Sequence, residues 1–244
     1  MSKSWLRSVP VAHRGLHDIG SGVPENSRAA FRAAISAGYP IECDVRLSAD
    51  GEPVVFHDAD LKRLTGTEGR VDAFAAAALT NLPLLGTAET PPLFTDFLDL
   101  VGGKVPLLIE IKNYGNEPAA PLSAATWAKL KAYAGDYAVQ SFSPHVVAWF
   151  RDHAPHVPRG QIATDPAELK ALDENSRKAL AAALDAGHGD PDFIAYDVKL
   201  LPAALTARAK AAGKPVLTWT VRTEEQRARA AAHADNIIFE GFRA

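Results

Sequence analysis

The sequence predicts an α/β protein built as a barrel of eight parallel strands wrapped by helices, and three observations lead there. Short β-rich apolar runs alternate with Ala-rich stretches along the 244 residues, the pattern of a parallel sheet with covering helices. No stretch reads as a linker, so one domain over residues 1–244 is the better reading than two small ones. The strand count also fits. The runs Val9–Ala12, Ile41–Val45, Val105–Ile111, Ala138–Phe142, Arg159–Ile162, Phe193–Tyr196, Pro215–Val221 and Asn236–Phe239 make eight. Helices are expected from near Ser27, Thr95, Ala119, Pro144, Pro166, Pro202 and Thr223, several of which are residues that start helices well. Gly38, Gly135, Gly187 and Gly213 follow helical stretches, where a left-handed cap is expected.

Composition narrows the class further. With 47% hydrophobic and 23% charged residues the chain is an ordinary globular sequence, neither disordered nor collagen-like. A net charge of −3 gives no general attraction for nucleic acid or an anionic membrane, so any phosphate must be held by local cations. The single cysteine, Cys43, excludes an intramolecular disulfide and fits a reducing compartment. Neither a signal-peptide run nor a transmembrane-length segment is evident, so a cytoplasmic protein without stable membrane insertion is expected.

One apolar run, Glu52–His57, lies too close to Ile41–Val45 for a parallel crossover, so the two must form an antiparallel hairpin about Asp50-Gly51. A two-residue turn there would set His57 opposite Asp44 and project Glu42, Asp44 and His57 into one space. A three-residue loop would shift the pairing by one. Beyond the hairpin, residues 58–92 break into short polar and Pro-rich pieces, a small insertion expected to lie over the C-terminal face of the barrel.

The chemistry-bearing residues collect around these elements. Glu110 and Lys112 close the run Val105–Ile109 with a spacing of two, which puts both on one strand face, and barrel sites gather at the C-terminal ends of strands. Glu42, Asp44 and Glu110 together would repel one another unless a cation sat among them or one were protonated. Oxygen ligands of this kind favour Mg²⁺, Ca²⁺ or Mn²⁺ over zinc. An isolated Glu-x-Asp pair is more often a solvated strand end, but His57 and Glu110-x-Lys112 nearby turn the balance towards a site. His13-Arg14-Gly15 ends the first strand, where Arg14 offers a planar donor fork for phosphate oxygens. Two histidines beside a metal are what phosphodiester cleavage needs, one as base for the attacking oxygen and one as acid for the leaving oxygen. The other six (His17, His145, His153, His156, His188 and His233) are read as surface. Trp219 is either a core aromatic or an apolar wall for substrate, and Phe142 is open in the same way.

The motifs His13-Arg-Gly, Pro24-Glu-Asn-Ser, Ile41-Glu-Cys-Asp-Val, Pro53-Val-Val-Phe-His-Asp58, Leu64-Thr-Gly, Ile109-Glu-Ile-Lys112, Ser141-Phe142 and Trp219-Thr-Val run in this order over nearly the whole chain. In this the sequence resembles the glycerophosphodiester phosphodiesterase family. The resemblance implies a TIM-type (β/α)8 barrel with a small insertion after the second strand. It also implies a divalent cation, Mg²⁺ or Ca²⁺, held at Glu42, Asp44 and Glu110, with His13 and His57 as acid and base. Arg14, Lys112 and Trp219 would bind the substrate, with Glu25, Asn26 and Phe142 supporting them. The implied reaction is hydrolysis of a small glycerophosphodiester to glycerol 3-phosphate and an alcohol. The sequence departs from the family at Leu16-His17-Asp18, at Cys43 and at Phe239-Glu-Gly-Phe-Arg. A lysophospholipase D-like activity and a non-catalytic phosphoester-binding barrel are the alternatives, and oligomeric state is not legible.

Overall fold

The computed structural model describes residues 3–113, 118–165, 174–185 and 187–244. The strands are β1 (Val11–Ala12), β2 (Ile41–Leu47), β3 (Pro53–Val55), β4 (Leu107–Ile111), β5 (Tyr137–Ser141), β6 (Arg159–Ala163), β7 (Phe193–Asp197), β8 (Val216–Val221) and β9 (Asn236–Phe239). The helices are α1 (Trp5–Ser8), α2 (Arg28–Ala37), α3 (Lys62–Thr65), α4 (Ala76–Leu79), α5 (Phe94–Val101), α6 (Ala119–Leu130), α7 (Pro144–His153), α8 (Glu174–Asp185), α9 (Ala204–Ala211) and α10 (Glu224–His233). The helix start expected at Pro166 lies outside the described residues.

The fold class is the (β/α)8, TIM-type barrel. One sheet runs β1-β9-β8-β7-β6-β5-β4-β2-β3 with a further β1–β2 pairing, and β3 is the antiparallel extra strand. The helix starts follow from local chemistry. Ser27 caps α2 by accepting from the Ala30 N–H, Pro144 opens α7, and Thr223 forms a capping box with Gln226 at α10. Gly38, Gly187 and Gly213 have left-handed φ as expected, whereas Gly135 does not.

Two compact units are distinguished. The first comprises Ala12–Lys112 and Ala120–Tyr137. In it β2 pairs in parallel with β4, placing Asp44 beside Glu110, and α2 packs on α5 through Phe31 and Phe97, whose ring centroids are 4.5 Å apart. Burying each such ring is worth about 1.5–3 kcal/mol. Within residues 58–92, Leu61, Leu64, Val71, Leu79 and Leu84 pack with Val54 and Phe56 in one apolar cluster. The second unit comprises Met1–Val11, Asn113–Ala119 and Ala138–Ala244. Its strands β6 to β9 pair in parallel in sequence order, and Ile194, Ala209 and Val216 form an apolar cluster beneath α9.

The hairpin register differs from expectation. Val45 faces Val55 and Leu47 faces Pro53, so the residue opposite Asp44 is Phe56, whose N–H donates to the Asp44 carbonyl, and not His57. The cause is a three-residue loop, Ala49-Asp50-Gly51. The Ser48 N–H donates to the Glu52 carbonyl across it, and the Ser48 hydroxyl donates to Asp50 and accepts from the Glu52 N–H. Gly51, at φ 81°, supplies the left-handed residue that this loop needs.

Candidate active site

The centre of the first unit is acidic. Asp44 on β2 and Glu110 on β4 are paired in parallel register, so their side chains share one face, and Glu42, two residues back along β2, shares it too. Oxygens of Glu42, Asp44 and Glu110 come within 4.8 Å of one another, and all three residues are buried. Lys112, just past β4 and equally buried, sets its Nζ 2.5 Å from Glu110 Oε1 and 2.9 Å from Asp44 Oδ1. One ammonium cannot neutralise three carboxylates. Burial pushes the Glu42 carboxyl well above its ordinary pKa, and the charges of Asp44 and Glu110 add to the rise. Asp44 moves the opposite way. Burial alone would raise it, but Lys112, His57, Arg14 and His13 together hold it well below the usual range. Glu42 Oε1 is buried without a hydrogen-bond partner. An acceptor stranded among carboxylates is what a bound divalent cation would satisfy, and the all-oxygen donor set suits a hard ion.

The loop after β1 wraps this cluster in donors. Gly15 allows the chain to turn close over α2, because a Cβ there would stand 2.9 Å from the Ala30 carbonyl carbon and Cβ. Arg14 and Asn26, at φ 56° and 54°, both lie in the left-handed region that costs non-glycine residues about 1–2 kcal/mol. Their contacts hold them there. The Arg14 N–H donates to Glu42 Oε2 at 2.9 Å, and the Asn26 N–H to the Arg14 carbonyl at 2.9 Å. The Asn26 amide donates to Asp44 Oδ2 at 2.8 Å. The Arg14 guanidinium reaches Asp44 Oδ2 at 3.4 Å and donates to Glu25 Oε1 at 2.6 Å. His13 Nε2 stands 4.0 Å from Glu42 Oε2. His57 comes to Asp44 by a different route from the facing-pair geometry. The chain leaves β3 after Val55, Arg46 Nε donates to the His57 carbonyl at 2.8 Å, and the imidazole acts electrostatically on Asp44.

The first unit thus brings together nine of the residues singled out in the sequence: His13, Arg14, Glu25, Asn26, Glu42, Asp44, His57, Glu110 and Lys112. Trp219 and Phe142 belong to the second unit, where they meet edge to face at 5.5 Å and the Trp219 indole donates to the Ala195 carbonyl. Sequence reasoning missed Asp58 and Arg63. Asp58 Oδ1 lies 2.6 Å from His57 Nδ1, and Arg63 bridges Asp58 to Glu25. The only signal was adjacency, Asp58 following His57 directly. His17, read as surface, is half-buried instead. Cys43 lies between two site carboxylates yet, by strand alternation, on the opposite face of β2. It is fully buried, and burial followed by the charges of Glu42, Asp44 and Glu110 raises its thiol pKa well above normal.

Fold and cluster together define a (β/α)8 protein whose strands gather a cation-competent acidic group beside an arginine and a lysine. The chain belongs to the glycerophosphoryl diester phosphodiesterase family, which it matches over residues 13–239. It is 36% identical over 116 residues to a glycerophosphodiester phosphodiesterase of Caldanaerobacter subterraneus, a match covering 44% of this chain and 46% of that protein. A Bacillus subtilis protein described as a candidate glycerophosphodiester phosphodiesterase is 32% identical over 177 residues, covering 69% of this chain and 70% of its own length. Among solved structures, an Oleispira antarctica phosphodiesterase in complex with the product sn-glycerol-3-phosphate aligns with a TM-score of 0.77 at 23% identity, covering 95% and 93% of the two chains. The Thermotoga maritima glycerophosphodiester phosphodiesterase aligns with a TM-score of 0.72 at 22% identity, covering 95% and 94%. Among the described residues no helix is long and apolar enough to cross a membrane.

Proposed function

We propose that this chain hydrolyses small glycerophosphodiesters to glycerol 3-phosphate and an alcohol, with a divalent cation, Mg²⁺ or Ca²⁺, held by Glu42, Asp44 and Glu110. The observation that carries this reading is the buried carboxylate cluster with its unpartnered Glu42 oxygen. Its support comes from family membership and from the product named for the Oleispira antarctica neighbour. The cation, when bound, supplies Lewis-acid polarisation of the phosphoryl group. Arg14 and Lys112 then counter charge that builds at phosphorus, and Asn26 fixes the rotamer of Asp44 through its amide. His13 and His57 divide the proton transfers, one taking a proton from the attacking oxygen and the other giving one to the departing alcohol. Residues 58–92 are read as a cover within a single barrel domain, with Arg63 and Glu89 bonded back to Glu25 and to the start of α2. The protein is read as cytoplasmic from its composition and its single cysteine.

Release of glycerol 3-phosphate from a panel of glycerophosphodiesters, with added Mg²⁺ or Ca²⁺ and with chelator, tests this. Product formed only with cation is the expected result. Cation binding without turnover on any substrate would favour a binding barrel and refute the assignment.

A further inference from the structure

Arg63 projects from α3, a single turn whose Leu61 and Leu64 are sunk in the apolar cluster with Val54 and Phe56. Its side chain is 49% exposed, yet it makes four charge-assisted bonds to two carboxylates. Nε donates to Asp58 Oδ2 at 2.5 Å and Nη2 to Asp58 Oδ1 at 3.0 Å, while Nη1 and Nη2 donate to Glu25 Oε2 and Oε1 at 2.9 and 2.8 Å. Half-exposed ion pairs add little to stability, so this geometry is not explained as a fold clamp. It does have directional consequences. An arginine fork fixes the plane and position of a carboxylate in a way an ammonium cannot. Both carboxylates it holds act on the site. Glu25 accepts from Arg14, and Asp58 Oδ1 meets His57 Nδ1 at 2.6 Å.

We propose that Arg63 is a positioning residue for His57. By holding Asp58 in place it keeps the proton of a neutral His57 ring on Nδ1, so that Nε2 is the nitrogen left to exchange a proton with substrate. The insertion thereby sets the chemistry of a histidine it does not itself contain. The inference deepens the hydrolytic reading and rests on it for the role of His57, but control of the ring tautomer can be read without turnover.

Arg63→Ala and Asp58→Asn are each expected to lower kcat about 10- to 100-fold while KM changes less than about 3-fold. The double variant should lose less than the product of the two single losses, because the two residues share the Arg63–Asp58 contact, although Arg63 also holds Glu25. Guanidinium ion added to Arg63→Ala should restore part of kcat, since the position is open to solvent; Arg63→Lys should remain impaired. In parallel, ¹⁵N spectra of the imidazoles in the cation-free protein near pH 8 should show His57 as a single Nδ1–H tautomer, and as a mixture in Arg63→Ala. Wild-type kcat in Arg63→Ala, additive losses in the double variant, or an unchanged His57 tautomer would each overturn the proposal. If wild-type protein turns over no substrate, the hydrolytic reading fails, and the tautomer measurement still decides whether Arg63 governs His57.

Discussion

At the scale of single residues, the site is a problem of charge in confinement. Glu42 has no partner for one buried oxygen, and its raised pKa reflects burial beside two further acids. Glu42→Gln is therefore expected to keep the cation-free fold but lose the rise in Tm that cation brings. For the wild type that rise corresponds to about 2.7 kcal/mol at a cation concentration of 100 times Kd. Differential scanning calorimetry with and without Mg²⁺ or Ca²⁺ checks both halves. His13→Ala or His57→Ala should each lower turnover by roughly two to four orders of magnitude with circular dichroism unchanged, and near-normal turnover in either would remove that residue from the mechanism. Glu42, Asp44 and Glu110 were legible because a strand period of two and a parallel neighbour bring like-spaced acids to one face. Arg63 was not. It sits in a segment with no long periodicity, and nothing in its neighbours along the chain reveals that its partners are Glu25 and Asp58.

At the scale of elements, the β2–β3 hairpin shows how local chemistry decides register. Ser-Ala-Asp-Gly-Glu supports either a two-residue Asp-Gly turn or a three-residue loop closed by a left-handed glycine. The Ser48 hydroxyl, bonded to both Asp50 and Glu52, selects the longer one. The strand assignments survived this ambiguity because hydrophobic runs define strands independently of the loop between them. The facing pairs did not, since one extra residue changes every partner. The apolar cluster around Leu64 should carry the order of residues 58–92: Leu64→Ala is expected to cost about 2–5 kcal/mol, read by urea denaturation. Limited proteolysis should then cut within residues 58–92 before the strands are attacked. The same variant should slow turnover, because α3 carries Arg63.

At the scale of the whole molecule, the barrel was legible from the βα alternation, and the interior chemistry adds a dependence on pH. Burial alone would raise both Glu25 and Asp58, but Arg63 and Arg14 outweigh it at Glu25, and His57 with Arg63 outweigh it at Asp58, so both carboxyls lie below their ordinary values. In the unfolded chain these groups take up protons near pH 4, before they do so in the folded one. The network's share of stability, small because Arg63 is half exposed, is therefore complete above about pH 5 and drains away as pH falls towards the folded pKa values. Arg63→Ala should flatten this loss, measured as a smaller drop in Tm between pH 6 and pH 3 than in the wild type. An equal drop would remove the network from the acid response.

Cys43 carries a last consequence. Its thiol is enclosed on the covered face of β2 and held protonated, so reagents that modify sulfur have no access while β2 stays in place. Since the chain has no other cysteine, its labelling rate becomes an internal clock for exposure of the strand that bears Glu42 and Asp44. Ligands that brace those acids should slow that clock.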